Sequence, residues 1–274
     1  MNKYVLSEKN EPSVERRQYL KKIKKRSKLI TLTRIGMLVF LMAAWELAAR
    51  FGLIDSFILS QPSRILSTCI NMAQNGLYMH IGITVYETVV GFVLGVILGT
   101  NLAVILWWSS FISSVSEPYL VVLNSLPKIA LGPVIIIVAG AGTKAIIFMA
   151  LAISLIVTVL EMLNGFHKTD GELIKMAATF GAAKGQIFIK IVFPSNIGTL
   201  FNSLKINIGL SLVGVIAGEF LVSKAGLGYL IVYGGQVFKL DLVMASVLIL
   251  AIVAALMYEA VIFLQKLVSK RFGS

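Results

Sequence analysis

Six long apolar runs limit this chain more than any other feature. They cover roughly residues 33–52, 80–107, 116–139, 144–164, 196–222 and 242–266. A helix needs about 20 residues to cross the hydrocarbon core of a bilayer, and each run is long enough. The chain is 57% hydrophobic and only 14% charged, with a mean hydropathy of +0.88. A soluble domain carries roughly 25% charged residues, so this much apolar surface belongs in lipid. The reading is an all-α integral membrane protein.

Charge sets the expected orientation. The formal net charge is +12, and residues 1–34 hold 11 Lys and Arg against three Glu. A basic tail can attract nucleic acid. Placed ahead of a membrane span, it instead predicts retention in the cytoplasm. Six spans then return the C-terminus to the same side. The 165–195 segment lies there too, with Lys168, Lys175, Lys184 and Lys190. The opposite loops, 53–79, 140–143 and 223–241, carry only Arg64, Lys224 and Lys239. The single cysteine, Cys69, excludes an intrachain disulfide. Three parts follow: a basic tail over 1–32, a membrane domain over 33–268 and a short end over 269–274.

The loop 53–79 is too long for a tight turn. Ile65, Leu66, Cys69, Ile70 and Ala73 recur at helical spacing, which predicts a short amphipathic helix at the outer surface. In the second span Gly91, Gly95 and Gly99 stand four apart on one face, where another backbone can approach closely. In the third span Pro127 and Pro133 each remove a backbone donor. A helix broken inside a membrane packs as a kink or lines a cavity, and both readings stay open. Under the second, Asn124, Ser125, Lys128 and the backbone near Gly132 border a pathway.

Charges in the spans need an account, because each is costly in lipid. Glu46 and Arg50 are four apart and predict an intrahelical pair. Glu161 falls at an inner helix end, and Lys205 can reach back to the interface. Glu87, Glu219 and Glu259 lie deeper and predict interhelical pairing or a water-lined cavity. Glu219 is a candidate gate, accepting hydrogen bonds from a neighbouring helix or from amides of the 223–228 loop. His80 and His167 stand alone in the sequence. No zinc spacing, nucleophile elbow or phosphate-cradling loop is present. Catalysis in this chain is not expected, and its transport would draw on an ion gradient or on a separate ATPase.

The stretch "KMAATFGAAKGQIFIKIVFP", Lys175–Pro194, is wet and basic between greasy neighbours. Leu173, Ile174, Ala177 and Phe180 form one apolar stripe, and Ile187, Phe188 and Ile191 form another. Gly181 divides the two, Lys184 and Lys190 are expected to face water, and Pro194 is expected to stop the segment before Asn196 opens the next span. A glycine-hinged hairpin with one greasy face suits a groove on another protein.

Here the chain resembles the permeases of binding-protein-dependent ABC importers. Their cytoplasmic signature reads E-A-A-x-x-x-G, nine residues, then I-x-L-P. Ala177, Gly181, Ile191 and Pro194 match it, while Lys175 and Met176 replace its glutamate and first alanine. "LNSLPKIALGPVIIIVAGAGTKAII", "GEFLVSKAGLGYLI" and "WELAARFGLI" with "LSQPSRIL" resemble the branch for nitrate, sulfonates, taurine and related small solutes. The likeness covers about residues 36–268.

The resemblance implies a six-span bundle of the type I importer kind with a cytoplasmic coupling helix. Lys175, Ala177, Ala178, Gly181, Ala182, Ile191 and Pro194 would meet the ATPase. It further implies two ATPase subunits that bind the ATP and Mg, a second permease copy and an extracytoplasmic binding protein. No cofactor is expected in this chain. The location implied is the cytoplasmic membrane, with both termini inside. The solute stays open, with thiamine-related pyrimidines and riboflavin also carried in this branch. The competing reading is an ion-coupled carrier using Glu87, Glu219 or Glu259. A vitamin-transport scaffold without a soluble binding protein is weaker.

Overall fold

The computed structural model describes residues 14–272, divided between Arg64 and Ile65 into two compact units. Residues 1–13 of the expected tail and 273–274 of the expected end lie outside the described residues.

The first unit is dominated by α1 (Val14–Arg50), which passes residues 32 and 33 without a break. Near its end Arg50 Nε donates to Glu46 Oε1 at 2.8 Å, the expected pair. Glu46 also accepts from the Ser63 amide at 3.1 Å and the Ser63 hydroxyl at 3.0 Å, so its carboxylate ties a following turn as well. The short α2 (Ser56–Leu59) is capped by Asp55, whose Oδ1 accepts from the Phe57 amide at 2.8 Å.

The second unit holds α3 (Pro62–Gln74) from Ile65 onward, then α4 (Leu77–Trp108), α5 (Ser110–Ser125), α6 (Gly132–Ala139) and α7 (Thr143–His167). After these come α8 (Gly171–Thr179), α9 (Lys184–Ile187), α10 (Phe193–Ser195), α11 (Ile197–Val222), α12 (Leu227–Gln236) and α13 (Leu240–Phe272). Among the described residues α1, α4, α7, α11 and α13 are each long and apolar enough to cross a membrane. The sixth run is divided: α5 and the segment Lys128–Ala139 meet at a bend of 86°.

Helix α7 forms the centre, held between two glycine faces. A Cβ at Gly91 would lie 2.6 Å from Ala150 Cβ, and one at Gly99 would lie 2.7 Å from Thr158 Cβ. Positions rise together along both helices, so α4 and α7 run parallel. On the other flank a Cβ at Gly214 would come 2.6 Å from Ala150 Cα, and one at Gly218 would come 3.1 Å from Ile146 Cα. Positions there run in opposite senses, so α11 is antiparallel. Lipid gives apolar helices no hydrophobic reason to associate, and close backbone approach supplies dispersion contacts instead. The glycine spacing is thus a packing seam.

The structure corrects several expectations. The break in the third run falls at Leu126–Pro127, where a 3-10 turn covers Lys128–Leu131. Pro133 breaks nothing: it sits in the first turn of α6, where a missing amide costs no intrahelical bond. The 223–241 loop contains α12, packed on α11 and α13. In α3, Cys69 and Met72 pack toward Leu77, Leu227 and Leu230, while Leu66 and Ile70 are exposed. The buried face is therefore rotated from the expected one. Pro194 lies inside helical backbone that runs from a π-turn at Phe188–Val192 through α10, and the helix ends one residue later at Ser195, so Asn196 opens α11 as expected. The wider π-turn loosens the backbone that a proline ring would otherwise strike four residues back.

Candidate functional site

Two clusters lie at opposite ends of α4. The first joins the Trp108 end to the hairpin formed by α8 and α9. Asp170 caps α8, its Oδ1 accepting from the Glu172 amide at 2.8 Å. At the far end the Ala182 amide donates to the Ala177 carbonyl at 3.1 Å, and the Gly181 amide donates to the Ala178 carbonyl at 3.0 Å. This pair of bonds is a Schellman closure, which requires a left-handed residue, and Gly181 supplies it at φ +80°. A Cβ there would meet nothing within 4 Å, so the glycine serves conformation alone.

Beyond the turn the Ala183 amide donates to Gln186 Oε1 at 2.9 Å and starts α9. An open groove of about 370 Å³ runs between the two arms. Ala177, Gly181, Ala182 and Ile191 come together along it. Phe180 at its edge is 84% exposed, a large ring offered to solvent. Lys175 and Ala178 lie on the exposed side of α8, and Pro194 is exposed on α10. Lys190 is exposed too, and it also lines the groove. Lys184 is exposed as expected, and its ammonium also donates to the Trp108 carbonyl at 2.6 Å and lies 5.4 Å from the Trp107 ring centre.

The second cluster surrounds Glu219, which is buried at 1% exposure. The Thr84 hydroxyl donates to Glu219 Oε1 at 2.6 Å, and the Gly228 amide donates to Oε2 at 2.5 Å. The Leu227 amide donates to the Thr84 oxygen at 2.8 Å, which completes that hydroxyl as both donor and acceptor. The Gly226 amide donates to His80 Nδ1 at 3.0 Å, and the imidazole stacks on Tyr229 with centres 6.1 Å apart. Three successive amides, 226 to 228, are thus consumed by side chains of α4 and α11. Gly226 has φ +117°, and a Cβ on it would run into the Glu219 carboxylate. The turn is moulded around that group.

Glu87, one turn beyond Thr84, is also buried, and neither of its carboxyl oxygens has a hydrogen-bond partner. Glu259 is exposed on α13, so the three deep carboxylates of the sequence reading do not form one relay. At the bend, Lys128 Nζ donates to the Asn124 carbonyl at 3.1 Å and to Asn124 Oδ1 at 3.3 Å. Ser125 donates to the Val121 carbonyl at 2.9 Å, and both Asn124 and Ser125 are exposed. Gly132 is buried, with Leu221 and Met149 where a Cβ would stand.

Sequence reading missed His80, Thr84, Trp107 and Trp108 as members of these clusters. His80 looked isolated because its partner lies 146 residues away. The available signal was the pair Gly226 and Gly228 following Glu219, since closely spaced glycines imply a backbone pressed against something.

Comparison with known proteins adds a second line of observation. The family described as "Binding-protein-dependent transport system inner membrane component" matches residues 91–274. A Haemophilus influenzae protein named probable ABC transporter permease is 26% identical, over 81% of this chain and 90% of that protein. The formylaminopyrimidine transport permease ThiX of Halalkalibacterium halodurans is 25% identical, over 70% of this chain and 76% of its own length. The taurine transport system permease TauC of Escherichia coli is 24% identical, over 84% and 86%. Among solved structures, the MetNI methionine ABC transporter in an inward-facing conformation has a chain covering 70% of this one, with 95% of its own length matched. The TM-score is 0.63 at 19% identity, a likeness of fold.

Proposed function

This chain belongs to the binding-protein-dependent transport system inner membrane component family, and from that premise we propose how its surfaces serve transport. It is a multi-pass membrane protein and the permease of an ABC importer. That family works with ATPase and binding-protein partners.

The α8–Gly181–α9 hairpin docks on a cytoplasmic ATPase, with Lys175, Ala177, Ala178, Gly181, Ala182, Ile191 and Pro194 at or beside the contact. Two such ATPases hold the ATP and Mg, and this chain performs no hydrolysis. A second copy of the chain completes the pathway, and an extracytoplasmic binding protein delivers the solute. Both termini lie in the cytoplasm, so the Glu219 cluster is at the outer end of the bundle and acts as its gate. The solute is a small molecule of the sulfonate, taurine, nitrate or pyrimidine kind.

One observation carries this reading most. The hairpin presents a groove and a bare aromatic ring on a segment that is closed by its own Schellman bonds. A hairpin whose turn is closed by its own bonds and whose inner face is already seated on the bundle, yet which leaves a phenylalanine in water, is built for a partner. The test is Ala177→Asp, which places a charge in that groove. The variant should reach the membrane at the parental level. Its co-purifying ATPase should fall by at least tenfold, since about 1.4 kcal/mol already gives tenfold and burying an unpaired charge costs more than that. Unchanged ATPase recovery and unchanged uptake would remove the docking assignment.

A further inference from the structure

We propose that Lys184, held by the Trp108 carbonyl and the Trp107 and Trp108 rings, is a positioning residue that makes α4 the rod carrying hairpin movement to the Glu219 cluster. The proposal rests on the reading that the hairpin meets the ATPase.

The hairpin has two unlike arms. The α8 arm carries the exposed Phe180, its capping bonds are local, and it touches the core only through the partly buried Ile174 and Ala177. The α9 arm is fastened to α4. Trp108 is the last residue of α4, and its carbonyl belongs to the four that a helix end leaves without an internal partner. The Lys184 ammonium supplies that partner across 76 residues of sequence. A cation at this end also meets the negative pole of the helix dipole. Its charge lies 5.4 Å from the Trp107 centre and 6.0 Å from the Trp108 centre, within cation–π range.

One turn later Phe188 closes the socket. Its ring centre is 5.1 Å from that of Trp107 and 5.4 Å from that of Phe166. Ile187 and Val192 are buried in the same core as Ala103, Leu106 and Phe166. The α9 arm is therefore bound to α4 and α7 by a charge-assisted bond, a ring cluster and apolar burial together.

The same helix holds the opposite cluster. His80 and Thr84 reach the amides of Gly226 and Leu227, and Thr84 donates to Glu219. Thr84 and Trp108 are 24 positions apart, about 36 Å of continuous helix. Between them the glycine seam seats α4 on α7. A shift of the α9 arm thus has a stiff path to the turn at 226–228. Coupling along such a path is an energy between two sites, and it is measured by perturbing each end.

The experiment compares Lys184→Met with Lys184→Arg in the whole transporter, purified with its ATPase and reconstituted with the binding protein. Uptake of the solute that the binding protein carries is read against ATP hydrolysed. Methionine keeps the stem but loses the donor and the charge. It should leave ATPase recovery at the parental ratio while uptake per ATP falls about tenfold, within the usual span of allosteric coupling. Arginine keeps both properties and should restore at least half of the parental ratio.

A double-mutant cycle with Thr84→Val checks the rod itself. The combined loss should be smaller than the product of the single losses, because both changes interrupt one path. Parental uptake per ATP in Lys184→Met, or fully multiplicative losses in the cycle, would overturn the proposal. Loss of the ATPase from Lys184→Met would also overturn it, by showing a docking contact rather than a positioning one. Failure of the docking reading is a separate result: Ala177→Asp would then keep its ATPase while Lys184→Met still lowers uptake per ATP.

Discussion

Gly181 and Gly226 both hold left-handed backbone, at φ +80° and +117°. They close the turns of the two clusters, yet their surroundings are opposite. Around Gly181 a side chain would meet nothing within 4 Å, whereas around Gly226 it would enter the Glu219 carboxylate. One turn is a hinge in the open, and the other is a mould around a buried acid. Conformation alone asks for glycine at the first. Conformation and space both ask for it at the second. The same residue type therefore has different tolerances at the two ends of α4.

Substitution by alanine should widen that contrast, and Gly226→Ala should have the largest effect. Strained backbone costs about 1–3 kcal/mol, and displacement of the Glu219 carboxylate then leaves buried donors unpaired. Little assembled protein should survive detergent extraction in a thermal-shift assay. Parental melting of Gly226→Ala would show that the turn is loose.

Glu219→Ala should come next. It removes the acceptor of the Thr84 hydroxyl and the Gly228 amide, and a buried donor left unpaired costs about 1–3 kcal/mol. ATP hydrolysis without binding protein should rise and uptake should fall. Glu219→Gln keeps the size and one good acceptor, so it should shift both readouts in the same direction by less. A Glu219→Ala variant that transports and hydrolyses like the parent would make this carboxylate a packing feature only.

Gly181→Ala should cost only about 1–2 kcal/mol, the penalty of left-handed backbone with a Cβ in open space. The variant should fold, bind its ATPase and transport at a reduced rate. Gly181→Pro should do much more, because proline cannot adopt positive φ and removes the amide that closes the Schellman turn. If the alanine and proline variants behave alike in ATPase pull-down, the turn is not what shapes the hairpin.

The smallest effects belong to labelling at the bend. In a Cys69→Ser background, Asn124→Cys and Ser125→Cys should react readily with a water-soluble thiol reagent if they border the pathway. Gly132→Cys should react slowly, since Leu221 and Met149 occupy that space. Burial raises the Cys69 thiol above its ordinary value, so less thiolate is present at any given pH. Parental Cys69 should thus label more slowly than a cysteine at 124, most clearly near pH 8. Equal rates at 124 and 132 would argue against a one-sided pathway.

Much of this protein was legible in the order of its residues, and the reason is local. Apolar runs of span length become helices in lipid whatever they pack against. Glycines four apart form a face by helix geometry alone, and the Glu46–Arg50 pair follows from the same periodicity. Gly181 could be identified as a pivot because a turn was needed between two amphipathic stripes.

What only tertiary structure decided depends on long-range register. Which carboxylate gathers close donors is set by how α4 and α11 slide on α7: Glu219 meets Thr84 and Gly228, while Glu87 one turn away is left facing Glu219 and Thr143. The rotation of α3 and the presence of α12 likewise follow from neighbours distant in sequence. Lys184 shows the limit most plainly. Its spacing placed it at the exposed surface, where it stays, yet an unfilled carbonyl 76 residues earlier holds its ammonium beside two indole rings. Periodicity can tell which side of a helix is polar, but not which orphaned backbone group a flexible cation will reach.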